Sequence, residues 1–286
     1  MKRVVSACVI AWVVLRAPGI SRAQELSGRA VEIRSHWAGT VITEAIARGL
    51  VRGYPDGSLR VDRHVTRGEF AVLICRGIVA EEVSDWAKRV LPPFPDIRDH
   101  WAVSYITALA EMNVLRGDGG KVRPDERITR AEAMTSLDRI IEAFAGSLSN
   151  ETGAMPFADA ASVPDWAEES VRRLVKLGVV IGDDKGYLRP LDDVTRAEAV
   201  TLILRTMEVL GKRWDLEGTI AGVDPLSREM WITSSGETVR LRWLSDTINV
   251  YSGGKSVGLG SVRFGCRVKV VLDGSKKTIG MIIIDK

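Results

Sequence analysis

Few of the residues that most often perform catalysis are present in this chain. The 286-residue sequence has three histidines and three cysteines, and it contains neither the H-E-x-x-H pattern of zinc proteases nor a C-x-x-C pair. The D-x-D-x-D-G spacing with a later glutamate, which is typical of calcium loops, is also missing. We therefore expect a protein that is not an enzyme and that needs neither a metal nor another cofactor.

The sequence also lacks a large excess of charge of either sign. It has 40 Lys and Arg against 37 Asp and Glu, which predicts no nucleic-acid partner. Apolar residues make up 45% and charged residues 27%, and these ordinary values exclude a disordered chain, a collagen and a disulfide scaffold. The length allows one large domain or two to three small ones.

No apolar run is long enough to span a membrane, but a short one lies near the N-terminus. Lys2 and Arg3 precede the apolar run Val4–Leu15, and Ser21-Arg22-Ala23 has the small-x-small pattern of a cleavage site. Residues 1–23 are therefore predicted to be a secretory signal peptide, with a retained N-terminal anchor as the alternative. Cleavage would remove four basic residues and no acidic one, and it would leave no membrane span.

Two cysteines, Cys75 and Cys266, follow the predicted cleavage site. Both lie in apolar surroundings and are interpreted as small core residues. A disulfide between them stays open as an alternative.

Three copies of one unit follow each other along the chain. They align on three tryptophans spaced 64 and 65 residues apart, namely Trp37, Trp101 and Trp166. A glycine lies 16 residues after each tryptophan, and a Thr-Arg pair follows 12 or 13 residues later, at Thr66-Arg67, Thr129-Arg130 and Thr195-Arg196. Such self-similarity at a fixed period indicates a repeat architecture.

Each unit is predicted to be a helix, a loop and a second helix. Gly49, Asn113 and Gly178 stand where a left-handed residue would end the first helix. Turn-forming aspartates follow in the loop, namely Asp56, Asp118 and Asp183. Each second helix opens with a Thr-x-x-Glu capping box.

The arginine after each capping threonine has no such local explanation. It falls at the first helical position, where the helix dipole disfavours a cation. Its presence in all three copies predicts a salt bridge within the repeat or an anionic ligand held at the helix N-terminus. A scaffold arginine would pair with an acid of its own repeat, such as Asp96 or Asp159, whereas a ligand-binding arginine would face solvent in a groove.

The repeats resemble S-layer homology domains. Copy two has Phe94-Pro95-Asp96, Trp101-Ala102, Arg123-Pro124 and Ile128-Thr129-Arg130-Ala131-Glu132, and copy three has the equivalent residues from Phe157 to Glu198. Copy one has Trp37-Ala38, Gly53-Tyr54-Pro55-Asp56-Gly57 and Val65-Thr66-Arg67-Gly68-Glu69, but it lacks Phe-x-Asp. The resemblance covers roughly residues 30–211, as repeats at 30–80, 93–145 and 156–211.

The resemblance implies a pseudo-threefold helical bundle that binds secondary cell-wall polysaccharide, typically bearing a pyruvate ketal, in grooves between the repeats. It implies a secreted protein attached non-covalently to peptidoglycan-linked polymer at the cell surface, in the cell wall or S-layer. The residues it assigns to the ligand are Arg67, Arg130, Arg196, Trp37, Trp101, Trp166, Asp56, Asp96 and Asp159. For the tryptophans, a plain core position stays the alternative.

The C-terminal residues 216–286 follow a different pattern. Val239, Leu241 and Trp243 alternate with arginines, as in a half-buried strand. Further strands are predicted at 218–223, 230–233, 248–251, 267–272 and 278–284, and turn residues separate them. Five or six strands in so short a segment predict a small all-β barrel, OB-like or SH3-like, and the whole chain is thus an α+β multidomain protein. The pattern identifies no partner for this domain.

Two functions fit the sequence. The first is an anchor that binds wall polysaccharide through the repeats and displays the β domain. The alternative is a structural component of a surface layer, in which the β domain makes the contacts and the repeats are mainly scaffold.

Overall fold

The computed structural model describes residue 33 and residues 35–79, 90–146, 154–244, 248–274 and 278–285. The predicted signal peptide lies outside these residues. Within these residues, six α-helices form three pairs: α1 (Gly39–Ala47) and α2 (Arg67–Ile74), α3 (Val103–Glu111) and α4 (Arg130–Ala145), and α5 (Asp165–Lys176) and α6 (Arg196–Val209). A π-helical turn, Cys75–Val79, continues α2, and short 3-10 turns at Pro95–Ile97 and Ala160–Ser162 precede α3 and α5. The predicted helix–loop–helix repeats are confirmed.

The helix ends follow the local sequence signals. Gly49, Asn113 and Gly178 have φ angles of 73°, 57° and 72°, so each first helix ends in a left-handed residue as predicted. Thr66, Thr129 and Thr195 each accept a hydrogen bond from the third helical amide, and the glutamate at that position accepts a bond from the threonine amide. All three capping boxes are therefore confirmed.

A closed ring of backbone hydrogen bonds joins the three repeats. The Val65 amide donates to the Val194 carbonyl at 2.9 Å, the Val194 amide to the Ile128 carbonyl at 3.0 Å, and the Ile128 amide to the Val65 carbonyl at 3.2 Å. Each repeat thus gives one bond to a neighbour and receives one from the other, as pseudo-threefold symmetry requires. One continuous apolar core, which includes Ile42, Phe70, Ile106, Leu137 and Ile203, fills the bundle behind this ring.

In the described part of the chain after the bundle, seven strands form one sheet. They are β1 (Leu216–Asp224), β2 (Glu229–Ser234), β3 (Glu237–Arg242), β4 (Asn249–Ser252), β5 (Lys255–Val257), β6 (Arg267–Leu272) and β7 (Ile279–Ile284). The order across the sheet is β3-β2-β1-β6-β7-β4-β5. All neighbours are antiparallel except β4 and β7, which run parallel.

The all-β prediction is confirmed, with corrections in detail. Six of the strands were expected, whereas β5, with three residues between glycines, was missed. Within the described strands β3 and β5 are edges that do not pair with each other, so the sheet is not closed into the expected barrel. Val239 is 36% exposed, because β3 is an edge strand with only one neighbour to cover it. Cys75 is buried, Cys266 packs at the edge of the β core, and both thiols are free.

The β domain is docked on the first repeat. Tyr251, Val271 and Met281 pack with Ala47 of α1 and with Trp214. The Tyr251 hydroxyl donates to the Thr43 Oγ1 at 3.0 Å. Glu44, fully buried, accepts hydrogen bonds from Arg48 at 3.0 Å and from Arg213 at 2.9 Å.

Candidate functional site

The arginines at the first helical position connect each repeat to the next. Arg67 donates from Nε to the Val122 carbonyl at 2.7 Å and forms an ion pair with Glu132 of the second repeat. Arg130 donates to the Leu188 carbonyl at 2.8 Å and pairs with Glu198 of the third repeat at 3.2 Å. The expected salt bridge therefore exists but lies between repeats, not within one.

Arg196 connects the third repeat to the first, and it does so through different contacts. Its guanidinium donates to the Arg52 carbonyl at 2.8 Å and lies 5.5 Å from the centre of the Tyr54 ring. Arg67 and Arg130 are buried, whereas Arg196 is only half-buried. The aromatic ring in the first repeat thus gives the arginine of the third repeat an environment that the other two do not have.

The helix N-termini themselves are already occupied. The amides of Arg130 and Ala131 donate to the carbonyls of Asp192 and Pro190 at 2.9 and 2.8 Å, and the threonine of the capping box binds the third amide. The other two repeats make the equivalent bonds. The expectation of an anion held at these amides is therefore wrong, because the loop of the next repeat satisfies them, and a ligand must bind through side chains.

The three motif tryptophans lie on the surface. Trp37, Trp101 and Trp166 are 65%, 61% and 58% exposed, so the alternative of a core position is wrong. His36 and His100 accept a hydrogen bond from the amide two residues on, at 3.1 Å in both cases, and the rings lie 5.5 and 5.3 Å from the adjacent tryptophan rings. These histidines position the tryptophans and the start of the helix.

Asp96 and Asp159, two of the predicted ligand residues, each hold a loop through backbone hydrogen bonds. Asp96 accepts hydrogen bonds from the amides of Val122 and Arg123, and Asp159 from those of Leu188 and Arg189. Arg123 and Arg189 have positive φ angles, so these carboxylates hold a left-handed turn and do not pair with the arginine at the first helical position, contrary to the scaffold expectation.

Asp56 is committed to its own loop. It accepts hydrogen bonds from the Ser58 hydroxyl at 2.6 Å and from Arg60 at 2.8 Å, and these interactions hold its pKa below the usual range. Asp183 accepts from the amides of Lys185 and Tyr187, and Asp118 pairs with Arg123 at 2.9 Å. All three aspartates therefore act as turn residues, as predicted.

One groove brings together residues of all three repeats. It has a volume of about 620 Å³ and lies between Trp37 of the first repeat, Arg130 of the second and the loop Gly182–Asp184 of the third. Arg189, Glu198 and Arg205 line its wall. We call it the Trp37 groove. Of the predicted ligand residues, it joins Trp37 and Arg130.

Sequence reasoning missed one further arginine in each repeat. Arg76, Arg139 and Arg205 lie ten residues after the capping threonines, a spacing that the alignment of the copies contains. Arg139 donates to the Val114 carbonyl at 3.5 Å and Arg205 to the Val179 carbonyl at 3.2 Å. Sequence reasoning also overlooked a G-x-S-x-G pattern at residues 254–258. Its serine lies within edge strand β5 and not at the strand-to-helix turn of a hydrolase nucleophile.

The fold and the groove define a three-repeat helical module with a binding surface between its repeats. A family model described as S-layer homology domain matches residues 33–71, 93–134 and 156–200. The chain carries three S-layer homology domains, as the resemblance predicted.

Several curated proteins with different names are similar in sequence to this chain. The chain is 30% identical over 181 residues to an amylopullulanase of Thermoanaerobacterium thermosulfurigenes, a match that covers 63% of this chain and 10% of the relative. It is 30% identical over 187 residues to a cellulosome-anchoring protein of Acetivibrio thermocellus, covering 63% of this chain and 39% of the relative. It is 27% identical over 241 residues to S-layer protein EA1 of Bacillus anthracis, covering 84% of this chain and 26% of that protein.

The chain thus spans well under half the length of these relatives. The domain matches and the S-layer relatives indicate a secreted protein of the cell surface or cell wall, and they support cell-surface anchoring through the S-layer homology domains. Among the described residues, no helix has both the length and the apolar character needed to cross a membrane.

Proposed function

We propose that the three domains attach the protein non-covalently to the cell wall by binding an acidic secondary cell-wall polysaccharide, pyruvylated in the simplest case. The role proposed is binding and not catalysis. The observation that carries the proposal is the Trp37 groove, which is lined by an exposed tryptophan and by three arginines, Arg130, Arg189 and Arg205, beside four carboxylates.

The chemistry of this groove suits a sugar acid. An exposed indole ring offers a flat apolar face to the C–H face of a pyranose and keeps its N–H available to a hydroxyl. A guanidinium donates two parallel hydrogen bonds to a carboxylate, such as that of a pyruvate ketal. A neutral glucan would use the tryptophan but would have no carboxylate for a guanidinium to bind.

The test is a pull-down of the purified protein with cell-wall sacculi, before and after hydrofluoric-acid extraction of the wall polymers. We expect binding that extraction abolishes and that Trp37→Ala weakens about tenfold, since the loss of a stacking contact with an aromatic ring costs about 1–3 kcal/mol. Leu226→Ala is the matched control, because Leu226 is 97% exposed on the β domain and remote from the bundle core. Binding that survives extraction would contradict the polysaccharide as partner.

The alternative role in surface-layer assembly has its own support. The β domain exposes Leu226 and Phe264, which are 97% and 83% exposed, and the described strands leave the outer edges of β3 and β5 unpaired. Unpaired edges and exposed apolar side chains favour self-association. A protein that fails to bind sacculi but forms ordered oligomers in light scattering, and loses them on Phe264→Ser, would favour this alternative.

A further inference from the structure

Arg205 is the groove residue whose charge is not balanced. It lies on α6 with a half-buried side chain, and its guanidinium donates to the Val179 carbonyl at 3.2 Å. In the part of the chain that the structure describes, no carboxylate lies within the 4.0 Å of an ion pair from this guanidinium. A half-buried cation without an acidic partner is costly unless an anion reaches it.

The other cations of the groove are neutralised by protein acids. Arg130 pairs with Glu198 at 3.2 Å. Arg189 pairs with Asp183 at 3.3 Å and with Glu198 at 3.1 Å. These two carboxylates are therefore engaged, and neither is left to compensate Arg205.

The surroundings of Arg205 add positive and not negative charge. Burial lowers the pKa of its guanidinium, and the nearby cations Arg213 and Arg130 lower it further. Arg205 stays charged at any pH of interest because an arginine pKa lies far above neutrality. The groove is also lined by Asp62 and Asp184, but neither is among the charges that act on Arg205. Arg205 is therefore a locally uncompensated cation, which would attract an anion.

We propose that Arg205 binds the carboxylate of the ligand in the Trp37 groove, and that Arg130 is a positioning residue that holds the third repeat. This inference rests on the proposed function and names the residue through which the acidic group is recognised. The arginine of the Thr-Arg pair is thus committed to the contact between repeats, and the arginine nine residues later carries the specificity for an acid.

The equivalent arginine of the second repeat is the matched control. Arg139 makes a longer bond to the Val114 carbonyl, 3.5 Å, and Asp138 and Glu142 of the same helix supply negative charge near it. Burial and Arg116 lower its pKa, but these two acids act against that change. Arg139 therefore has less need of an external anion than Arg205.

The experiment measures binding of a methyl hexosaminide that carries a pyruvate ketal, by calorimetry with the purified full chain. The methyl ester of the ketal is the neutral probe. The variants are Arg205→Gln, Arg205→Lys and Arg139→Gln, with Arg205→Met as a second neutral variant should glutamine destabilise the fold. Thermal unfolding is recorded for each.

For the wild type we expect the acid to bind about 10- to 100-fold more tightly than the ester, as a charge-assisted hydrogen bond provides. Arg205→Gln should bind acid and ester equally, Arg205→Lys should retain part of the preference, and Arg139→Gln should keep all of it. A merely structural role of Arg205 would weaken both probes alike, so an unchanged ratio between acid and ester in Arg205→Gln would overturn the inference.

The two proposals fail in different ways. Wild-type protein that binds sacculi but shows no preference for the acidic probe would overturn the role of Arg205 and leave wall attachment standing. Loss of the acid preference in Arg139→Gln, with Arg205→Gln unaffected, would also overturn it. Wild-type protein that binds neither sacculi nor probe would overturn both.

Discussion

The two large contact surfaces of the molecule are built on different principles. The contact between repeats is made three times from the same parts, namely backbone bonds around Val65, Ile128 and Val194 and a helix start that donates to the next loop. The contact between the first repeat and the β domain occurs once, around the buried Glu44 and Tyr251. The first surface spreads its polar interactions over many backbone groups. The second relies mainly on side chains, namely the buried Glu44 and the contacts of Thr43 with Tyr251, Thr40 with Gly254 and Arg48 with Asp215.

This difference predicts different tolerance to substitution. Backbone hydrogen bonds survive most changes of side chain, so the ring between repeats depends on few individual residues. A buried carboxylate shared by two arginines depends on one residue, because removing it leaves Arg48 only the longer pair with Asp215 and Arg213 only the half-exposed Glu208. The β domain should therefore be the part whose position a single substitution can disturb.

Glu44→Ala is expected to have the largest effect on stability. The substitution removes the buried acid that Arg48 and Arg213 share, but Arg48 keeps Asp215 at 3.6 Å and Arg213 keeps Glu208 at 3.3 Å. We therefore expect a loss of about 4 kcal/mol, in the middle of the range for a broken buried pair. Urea unfolding monitored by tryptophan fluorescence measures this loss. Glu208→Ala is the control, because Glu208 bonds the same Arg213 at 3.3 Å but is half-exposed, and it should cost less than about 1 kcal/mol. Equal losses of stability for Glu44→Ala and Glu208→Ala would contradict the special importance of the buried carboxylate.

Arg130→Ala should follow, at about 3 kcal/mol. It removes a buried donor from the Leu188 carbonyl and one partner from Glu198, which keeps Arg189 and so limits the loss. Arg196→Ala is the matched comparison at the same position of the third repeat. Arg196 is half-buried and its contacts include the Arg52 carbonyl and the Tyr54 ring, so its loss should cost about 1 kcal/mol. Chemical denaturation of both variants checks this ranking. A larger loss of stability for Arg196→Ala than for Arg130→Ala would contradict it.

Gly117→Ala tests the packing of the loop at a somewhat smaller cost. A Cβ at this position would lie 2.6 Å from Cε1 of Phe94 and 2.8 Å from the Lys121 carbonyl oxygen, so the loop must shift. We expect a loss of about 1–3 kcal/mol in thermal unfolding, as for other overpacked sites. Gly258→Ala is the control, since no atom lies within 4 Å of the place that its Cβ would take, and its effect should be close to zero. Equal losses for the two substitutions would contradict the tight packing at Phe94.

The features that local sequence predicts are those whose partners lie within a few residues. The left-handed Asn113 and the capping pair Thr129 and Glu132 depend on neighbours three or four positions away, so the pattern alone identified them. The strands that contain Met230 and Val268 were likewise predicted from local signals, since turn residues separate them from their neighbours in sequence.

The features that the sequence did not predict depend on distant partners. Arg130 reaches a carbonyl 58 residues away, and nothing near it in sequence distinguishes a contact between repeats from one within a repeat. Glu44 resembles an ordinary surface acid of a helix, and only the approach of Arg213, 169 residues later, explains its burial. Arg205 was within reach of the repeat alignment, but its missing acid partner is visible only once the groove is assembled.

The smallest predicted effect concerns pH and the Asp96 turn. Burial raises the pKa of Asp96, but hydrogen bonds from the amides of Arg123 and Val122 outweigh that effect and hold the pKa below its usual range. A carboxyl whose pKa is lower in the folded than in the unfolded state stabilises the fold above pH about 4, and this contribution disappears as the pH falls through the folded value. Asp96→Asn should therefore cost less than about 1 kcal/mol at about pH 7, and its difference from wild type should be smaller at about pH 2. Asp99→Asn, an exposed neighbour, is the control. If thermal unfolding shows the same difference between Asp96→Asn and wild type at both pH values, the carboxylate charge does not stabilise this turn.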